Sequence, residues 1–402
     1  MTTLVRAEKP SEPAEVVLDA SAAGFNATSV EFALLFSELA SVRDLCDSLA
    51  GVLHQYGTVG GRMVKRGTST VVLCNNAGVP LTHESRQGPP PSLAHPVDEE
   101  YFDLVRDWVP TAEVAADAPT RIKVTDFDQG QLIAISVSHG IVDARSLGVF
   151  LRAWSAAYRG DTTDEPVSFD ASVLPAAPAG FGAAPVVASD GIPDAWRAHH
   201  RPFKMPHGTA FAPAVTTYHR SRTALAALAA RFDPEGGSPL SANDALCGEV
   251  AEAVGATSVA LMVDYRQAVG AGDLFGVAIS TQDVVAEAPS GVPAALRRAV
   301  PLWRARDFVD WKIGQGSGGC AEVFFNSWVR AFALPETRFA APVQTIMLGR
   351  SMCAARMRAF APMGVPYVLM LPHNDGVTVV VMGPEDVGGR IEGASSVALP
   401  SE

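Results

Sequence analysis

"QLIAISVSHGIVDARSLGVFLRAWSAAYRG", residues 131–160, joins a strand to a helix through a histidine and an aspartate. Side chains alternate along a strand, so Ile133, Ile135 and Val137 share one face. His139 continues that parity and leaves the strand pointing to the same buried side. Gly140 lets the chain turn. Asp143 then stands where a helix needs an N-cap, ahead of an apolar stripe of Leu147, Phe150, Leu151, Trp154 and Tyr158. An inward-facing imidazole at a strand exit suits a general base, because histidine's ordinary pKa near 6.5 leaves it able to accept a proton at neutral pH. The competing reading is a satisfied core histidine beside an ordinary cap. With nine histidines in the chain, a His-x-x-x-Asp spacing arises readily by chance, and these 30 residues alone do not decide between the two.

Bulk properties narrow the class. At 402 residues the chain exceeds one ordinary core and suits two domains. A hydrophobic content of 48% with 18% charged residues describes a globular protein rather than a disordered one. The formal charge of −12, with no basic run, argues against a nucleic-acid partner. Of 31 basic residues only five are Lys, which with abundant Ala and Gly points to a GC-rich, bacterial gene. Cys46, Cys74, Cys247, Cys320 and Cys353 are odd in number, widely spread and form no Cys-x-x-Cys pair. Reduced thiols in a cytoplasmic protein are expected, with no metal site. The polar start "MTTLVRAEKPSEP" is not a signal peptide, and apolar runs such as "GVTVVVMG" are strand-length, so no membrane association is expected.

Along the chain, helical and strand-like patterns alternate, which reads as α/β. "SVRDLCDSLAGVLHQYG" carries a helical stripe at Val42, Leu45, Leu49, Val52 and Leu53. "TSTVVLCNNAGVPLTHES" reads as two strands about an Asn-Asn-Ala-Gly turn, and "RIKVTDF" pairs with "QLIAISVS" about Asp128-Gln129-Gly130. Residues 161–215 are rich in Ala, Pro and Gly and read as a crossover. Beyond it, "SANDALCGEVAEAV" is a helix capped by Ser241 or Asn243. "TSVALMVDYR" and "VFFNSWVRAF" are strands, and "VPYVLMLPHNDGVTVVVMG" is a hairpin about Asn-Asp-Gly.

Four of these segments, in order, resemble the BAHD acyltransferases, relatives of chloramphenicol acetyltransferase and of peptide-synthetase condensation domains. "LCDSLAGVLHQYGTVGGRMV" with "STVVLCNNAGVPLTHE" is similar to the family's helix, Ala-Gly-Arg turn and following hairpin. "SVSHGIVDARSLGVFLRAWSAAYRG" is similar to its His-x-x-x-Asp strand and helix. "VDYRQAVGAGDLFGVAIST" resembles its Asn-x-Arg strand and the strand after it. "NSWVRAF" and "LMLPHNDGVTVVVMGPEDV" resemble its last strands. The likeness runs from about residue 35 to 390.

The resemblance implies two chloramphenicol-acetyltransferase-like domains, each a mixed β-sheet with flanking helices, and an active-site channel at their interface. The N-terminal domain would span 1–185 and carry the His-x-x-x-Asp motif; 186–215 would be the crossover linker, and 216–402 the C-terminal domain. The implied activity moves an acyl group from a thioester, acyl-CoA or carrier-bound, to an alcohol or amine acceptor in secondary metabolism such as antibiotic biosynthesis. His139 would be the base, and Asp143 would pair with Arg266 as a structural clamp. No tightly bound cofactor is implied, and a monomer is expected, with an acyl carrier protein as partner if the donor is carrier-bound.

Two departures bear on the donor. Where the family carries Asp-Phe-Gly-Trp-Gly, this chain reads "RFAAP", with Arg338 in place of the aspartate. Asn243 stands where many members carry a basic residue, so coenzyme A phosphates would need arginines such as Arg220, Arg222, Arg304 or Arg306. Other readings keep the fold and change the chemistry: a cyclisation or isomerisation by acid–base catalysis without a thioester, or a non-catalytic binding protein.

Asn326, Ser327 and Trp328 are candidates for the oxyanion or channel wall: by alternation Asn326 shares a face with Trp328, and Ser327 with Phe325. Trp303 and Trp311 read as packing, and His199-His200 as a solvated loop pair. "GQGSGG" (Gly314, Gly316, Gly319) fits the dinucleotide fingerprint, but a helix precedes it and a strand follows, the reverse of what phosphate binding needs.

Overall fold

The computed structural model of the chain describes residues 1–19, 22, 28–90, 118–163, 165–178, 192–197, 199, 214–233, 239–315, 321–331, 336–348, 365–383 and 387–391. In chain order the first half contains β1 (Thr2–Val5), β2 (Glu15–Val17), β3 (Ser29–Phe36), α1 (Val42–Leu53), β4 (Arg62–Arg66) and β5 (Ser69–Leu73). It continues through β6 (Val79–Ser85), β7 (Thr120–Phe127), β8 (Gly130–Ser138) and α2 (Ala144–Tyr158). The second half contains β9 (Ala214–Ser221), α3 (Arg222–Phe232), α4 (Ala242–Val254), β10 (Ser258–Asp264), the short α5 (Arg266–Val269) and β11 (Ile279–Val285). After these come α6 (Val292–Ala299), α7 (Arg306–Gly314), β12 (Val323–Ser327), β13 (Val343–Leu348), β14 (Tyr367–His373) and β15 (Gly376–Gly383).

Two six-stranded mixed sheets organise the chain, in the orders β1-β6-β7-β8-β3-β13 and β11-β10-β12-β14-β15-β9, with a small β2-β5-β4 sheet beside the first. The first sheet is centred on β7, β8 and β3. All nine residues of β8 and all eight of β3 are buried, so both faces are covered and the strands read as near-continuous apolar runs. Ile133, Ile135 and Val137 enter one core with Phe32, Leu34 and Val30 of β3, opposite which they pair. The helices α1 and α2 pack into that same core: Leu45 and Leu49 meet Leu147, Phe150 and Trp154. The Trp154 indole N–H donates to Leu45 O at 3.1 Å, which satisfies a polar atom that burial would otherwise leave costly.

Strand membership does not simply follow the chain. β13 comes from the second half yet pairs antiparallel with β3, closing the first sheet. The Asn75–Gly78 turn does not make a hairpin of the strands around it. β5 turns back on β4, while β6 joins β1 and β7 in the other sheet. The hairpin over 367–383 forms as expected, with His373 opposite Gly376 about a two-residue loop. Ser241, not Asn243, caps α4, in a reciprocal capping box with Asp244. Trp303 and Trp311 pack in a third core with Phe308. Cys46, Cys74 and Cys247 are free thiols; Cys320, Cys353, Gly316, Gly319, His200 and most of the 186–215 crossover lie outside the described residues. Among the described residues no helix is long and apolar enough to cross a membrane.

Candidate active site

β8 ends at Ser138, whose N–H donates to Pro119 O at 2.7 Å. The next N–H, that of His139, donates to Thr28 O at 2.9 Å. The histidine is therefore held by its backbone on both sides of the exit, and it is buried, with 5% exposed. Ile141 N–H turns back to Ser138 O, and Asp143 then caps α2 by accepting from Ser146 N at 3.0 Å.

Asp143 does more than cap. Its own N–H donates to Gly276 O at 3.2 Å, and its Oδ2 accepts from Ala278 N at 3.1 Å and pairs with Arg266 at 2.8 Å. Both side chains are essentially inaccessible, 1% and 0% exposed. The guanidinium also donates to Leu274 O, Gly276 O and Ser146 Oγ at 2.9–3.0 Å and meets Asp264 at 3.2 Å. Arg145 reaches the other oxygen of Asp264 at 3.0 Å and the Gly272 carbonyl. Burial by itself would push the Asp143 carboxyl up; Arg266 and the two backbone N–H donors outweigh it and hold the carboxyl below the usual carboxylate range. Arg266 is correspondingly held charged against its own burial. The clamp expected between residues 143 and 266 is present, and it ties the helix behind His139 to the 264–278 segment of the second half.

The sequence carries little signal for Ser146 and Asp264. Ser146 Oγ bridges Arg266, Gly276 O and Gly276 N. Its position three residues after the cap was the only local signal.

Gly140 and Ile141, next to the histidine, wall a small cavity of about 30 Å³ together with Phe275, Gly276 and Val277. That is room for roughly two water molecules. Its walls come from both halves of the chain, so the turn after His139 lies at their seam.

The oxyanion candidates separate. Asn326 is buried and donates from Nδ2 to the Tyr367 hydroxyl at 2.9 Å. Trp328 lies in the first core, while Phe325, which shares the Ser327 face, lies in the second. Alternation thus turns Asn326 toward the core that contains the β8 face and turns Ser327 away from it. In the divergent loop, Arg338 uses its carbonyl to accept from Arg159 at 2.8 Å. Phe339 inserts among Phe36, Trp154 and Tyr158 at ring separations of 5.5, 4.9 and 5.6 Å, an aromatic anchor for the loop. Two of the proposed phosphate-binding arginines are engaged: Arg220 pairs with buried Glu249 at 2.9 Å, and Arg306 with Asp310 at 2.8 Å.

This is the two-domain mixed α/β fold of chloramphenicol-acetyltransferase-like and condensation-domain-like proteins. Residues 31–193, which include β8, His139 and α2, match the model of the Transferase family. Vinorine synthase of Rauvolfia serpentina is 32% identical over 135 residues, a segment spanning 31% of this chain and 31% of that protein. The structural likeness is far longer. The crystal structure of vinorine synthase superposes with a TM-score of 0.70 at 17% identity, covering 97% of this chain and 95% of that one. F. sporotrichioides TRI101 complexed with coenzyme A and T-2 gives 0.64 at 13% identity, covering 94% and 97%.

Proposed function

We propose that the protein is an acyltransferase of secondary metabolism that moves an acyl group from a thioester to an alcohol or amine, with His139 as general base. The observation that carries the reading is the division of labour around the motif. Asp143 spends both carboxylate oxygens on Ser146 N, Ala278 N and Arg266, so its part is to brace the turn that carries His139, at the seam of the two halves. The relatives support the choice of reaction: the Transferase family model covers the motif, and TRI101 is a structural neighbour complexed with coenzyme A.

In this mechanism the imidazole takes the proton of the acceptor O–H or N–H as that atom attacks the thioester carbonyl. A tetrahedral oxyanion forms, and the second amide N–H of Asn326, the one not donated to Tyr367, is the donor we assign to stabilise it. Collapse breaks the C–S bond, and the imidazolium returns its proton to the departing thiolate. Positioned base catalysis of this kind contributes about 10²–10⁴-fold.

Coenzyme A is the leading donor. A carrier-bound thioester is the second reading, favoured by the engagement of Arg220 and Arg306 in ion pairs and by Asn243 in the first turn of α4. The test is product analysis by mass spectrometry after incubation with a panel of acyl-CoA thioesters and a hydroxylated acceptor. Ester formation with release of free coenzyme A is expected. No product and no binding of any acyl-CoA up to millimolar concentration would favour the carrier-bound donor or chemistry without a thioester.

A further inference from the structure

At one end of the second sheet, His219 of β9, His373 of β14 and Asp375 of the β14–β15 turn converge, although the first two are 154 positions apart in sequence. His219 Nε2 lies 3.0 Å from Asp375 Oδ1, and His373 Nδ1 lies 2.5 Å from the same oxygen. The two rings are 4.4 Å apart between centroids. All three donor atoms fall within 4.8 Å of one another.

We propose that His219, His373 and Asp375 form a surface site for a divalent transition-metal ion of the zinc class. The argument is one of fit and chemistry. Ligands at about 2.0–2.2 Å from a tetrahedral ion stand roughly 3.3 Å from each other; the 3.0 Å pair is near that spacing, and a side-chain rotation would open the 2.5 Å pair to it. Two imidazoles with one carboxylate suit zinc, nickel or copper rather than magnesium or calcium. The side chains are 36%, 34% and 65% exposed, which gives the ion an entry path and leaves a fourth position for water.

The scaffold is fixed before the ion arrives. His219 is registered opposite Thr378 in the β9–β15 ladder, His373 opposite Gly376, and Arg222 N donates to Asp375 O at 2.7 Å. Rigid placement lowers the entropic cost of binding. A bound ion would staple the edge strand β9 to the hairpin. It would be structural rather than catalytic. The turn touches the start of β13 through Asn374 Nδ2 and Val343 O, and Val343 pairs with Phe36, whose partner Gln131 lies at the opposite end of β8 from His139.

The test uses the full chain, dialysed metal-free, with Zn²⁺ as probe. Calorimetric titration of wild type should show one tight equivalent that is lost or weakened in His219→Ala and in His373→Ala. The loss should exceed the roughly 10–100-fold that removal of a mere outer-sphere partner costs. Zn²⁺ should raise the Tm of wild type and not of either variant. Equal stoichiometry and affinity in wild type and in the His219→Ala/His373→Ala double variant would overturn the proposal, as would the absence of any saturable binding in wild type.

Discussion

At His139 the decisive question is whether the imidazole reacts or packs. His139→Ala removes little from a core built by Phe32, Leu34, Ile133 and Ile135, so the melting temperature should stay close to that of wild type. Product formation should fall by about 10²-fold or more. Undiminished turnover in a folded variant would make it a packing residue. Asp143 should behave in the opposite way. Asn also caps helices, so Asp143→Asn spares much of the cap and removes the charge, leaving Arg266 buried without this partner. Breaking such a pair from one side costs about 3–5 kcal/mol, and the loss should appear in Tm as well as in activity. The pH dependence has a definite sign. A carboxyl held below its unfolded value contributes stability in full above the ordinary carboxylate range, and loses it as pH falls through the folded value. The Tm gap between wild type and Asp143→Asn should therefore be wide at pH 7 and should begin to shrink only as pH falls below about 4. A gap that is constant with pH would assign the effect to packing.

Among the elements, α2 carries the contact that links the motif to the second half. Gly148 on this helix is buried, and a Cβ there would overlap the carbonyl oxygen of Ala331, in the turn after β12. Propensity alone favours Ala over Gly in a helix interior by about 1 kcal/mol. The close approach reverses that sign, because a backbone oxygen cannot move aside as a flexible side chain can. Gly148→Ala should destabilise by about 1–3 kcal/mol, the cost of overpacking, measurable by urea denaturation; a stabilised variant would mean that the α2–Ala331 approach is looser than it stands. Elements with strong local patterns were legible in the sequence: α1 with its Leu45–Leu49–Val52 stripe, the β7–β8 pair and the β14–β15 hairpin. The β5–β6 connection was not. An Asn-Asn-Ala-Gly turn between two strand-like runs carries the same local signal whether the strands pair with each other or, as here, with β4 and with β1 and β7.

For the molecule as a whole, β13 and the Asp143–Arg266 clamp join what the sequence divides into halves. β13 supplies an edge strand to the first sheet, so that sheet is incomplete without residues from beyond position 340. Both sheets should therefore unfold together, as one transition in scanning calorimetry. Arg266→Met, which frees two carboxylates and three backbone or hydroxyl acceptors, should lower that transition; two resolved transitions in wild type would contradict the coupling.

Local patterns along the chain already encode the order of most elements, the parity that turns His139 inward, the separation of Asn326 from Ser327 by strand face, and the opposite charges at 143 and 266. These follow from local periodicity, capping chemistry and charge, which neighbours in the chain encode directly. Folding in three dimensions adds that Ser146 and Asp264 complete the clamp, that β13 changes sheets, that Phe339 anchors the loop around Arg338, and that His219 and His373 meet. Each of these pairs groups far apart in sequence. The energy that selects them, burial of apolar surface and satisfaction of buried polar atoms, exists only once the chain has closed on itself.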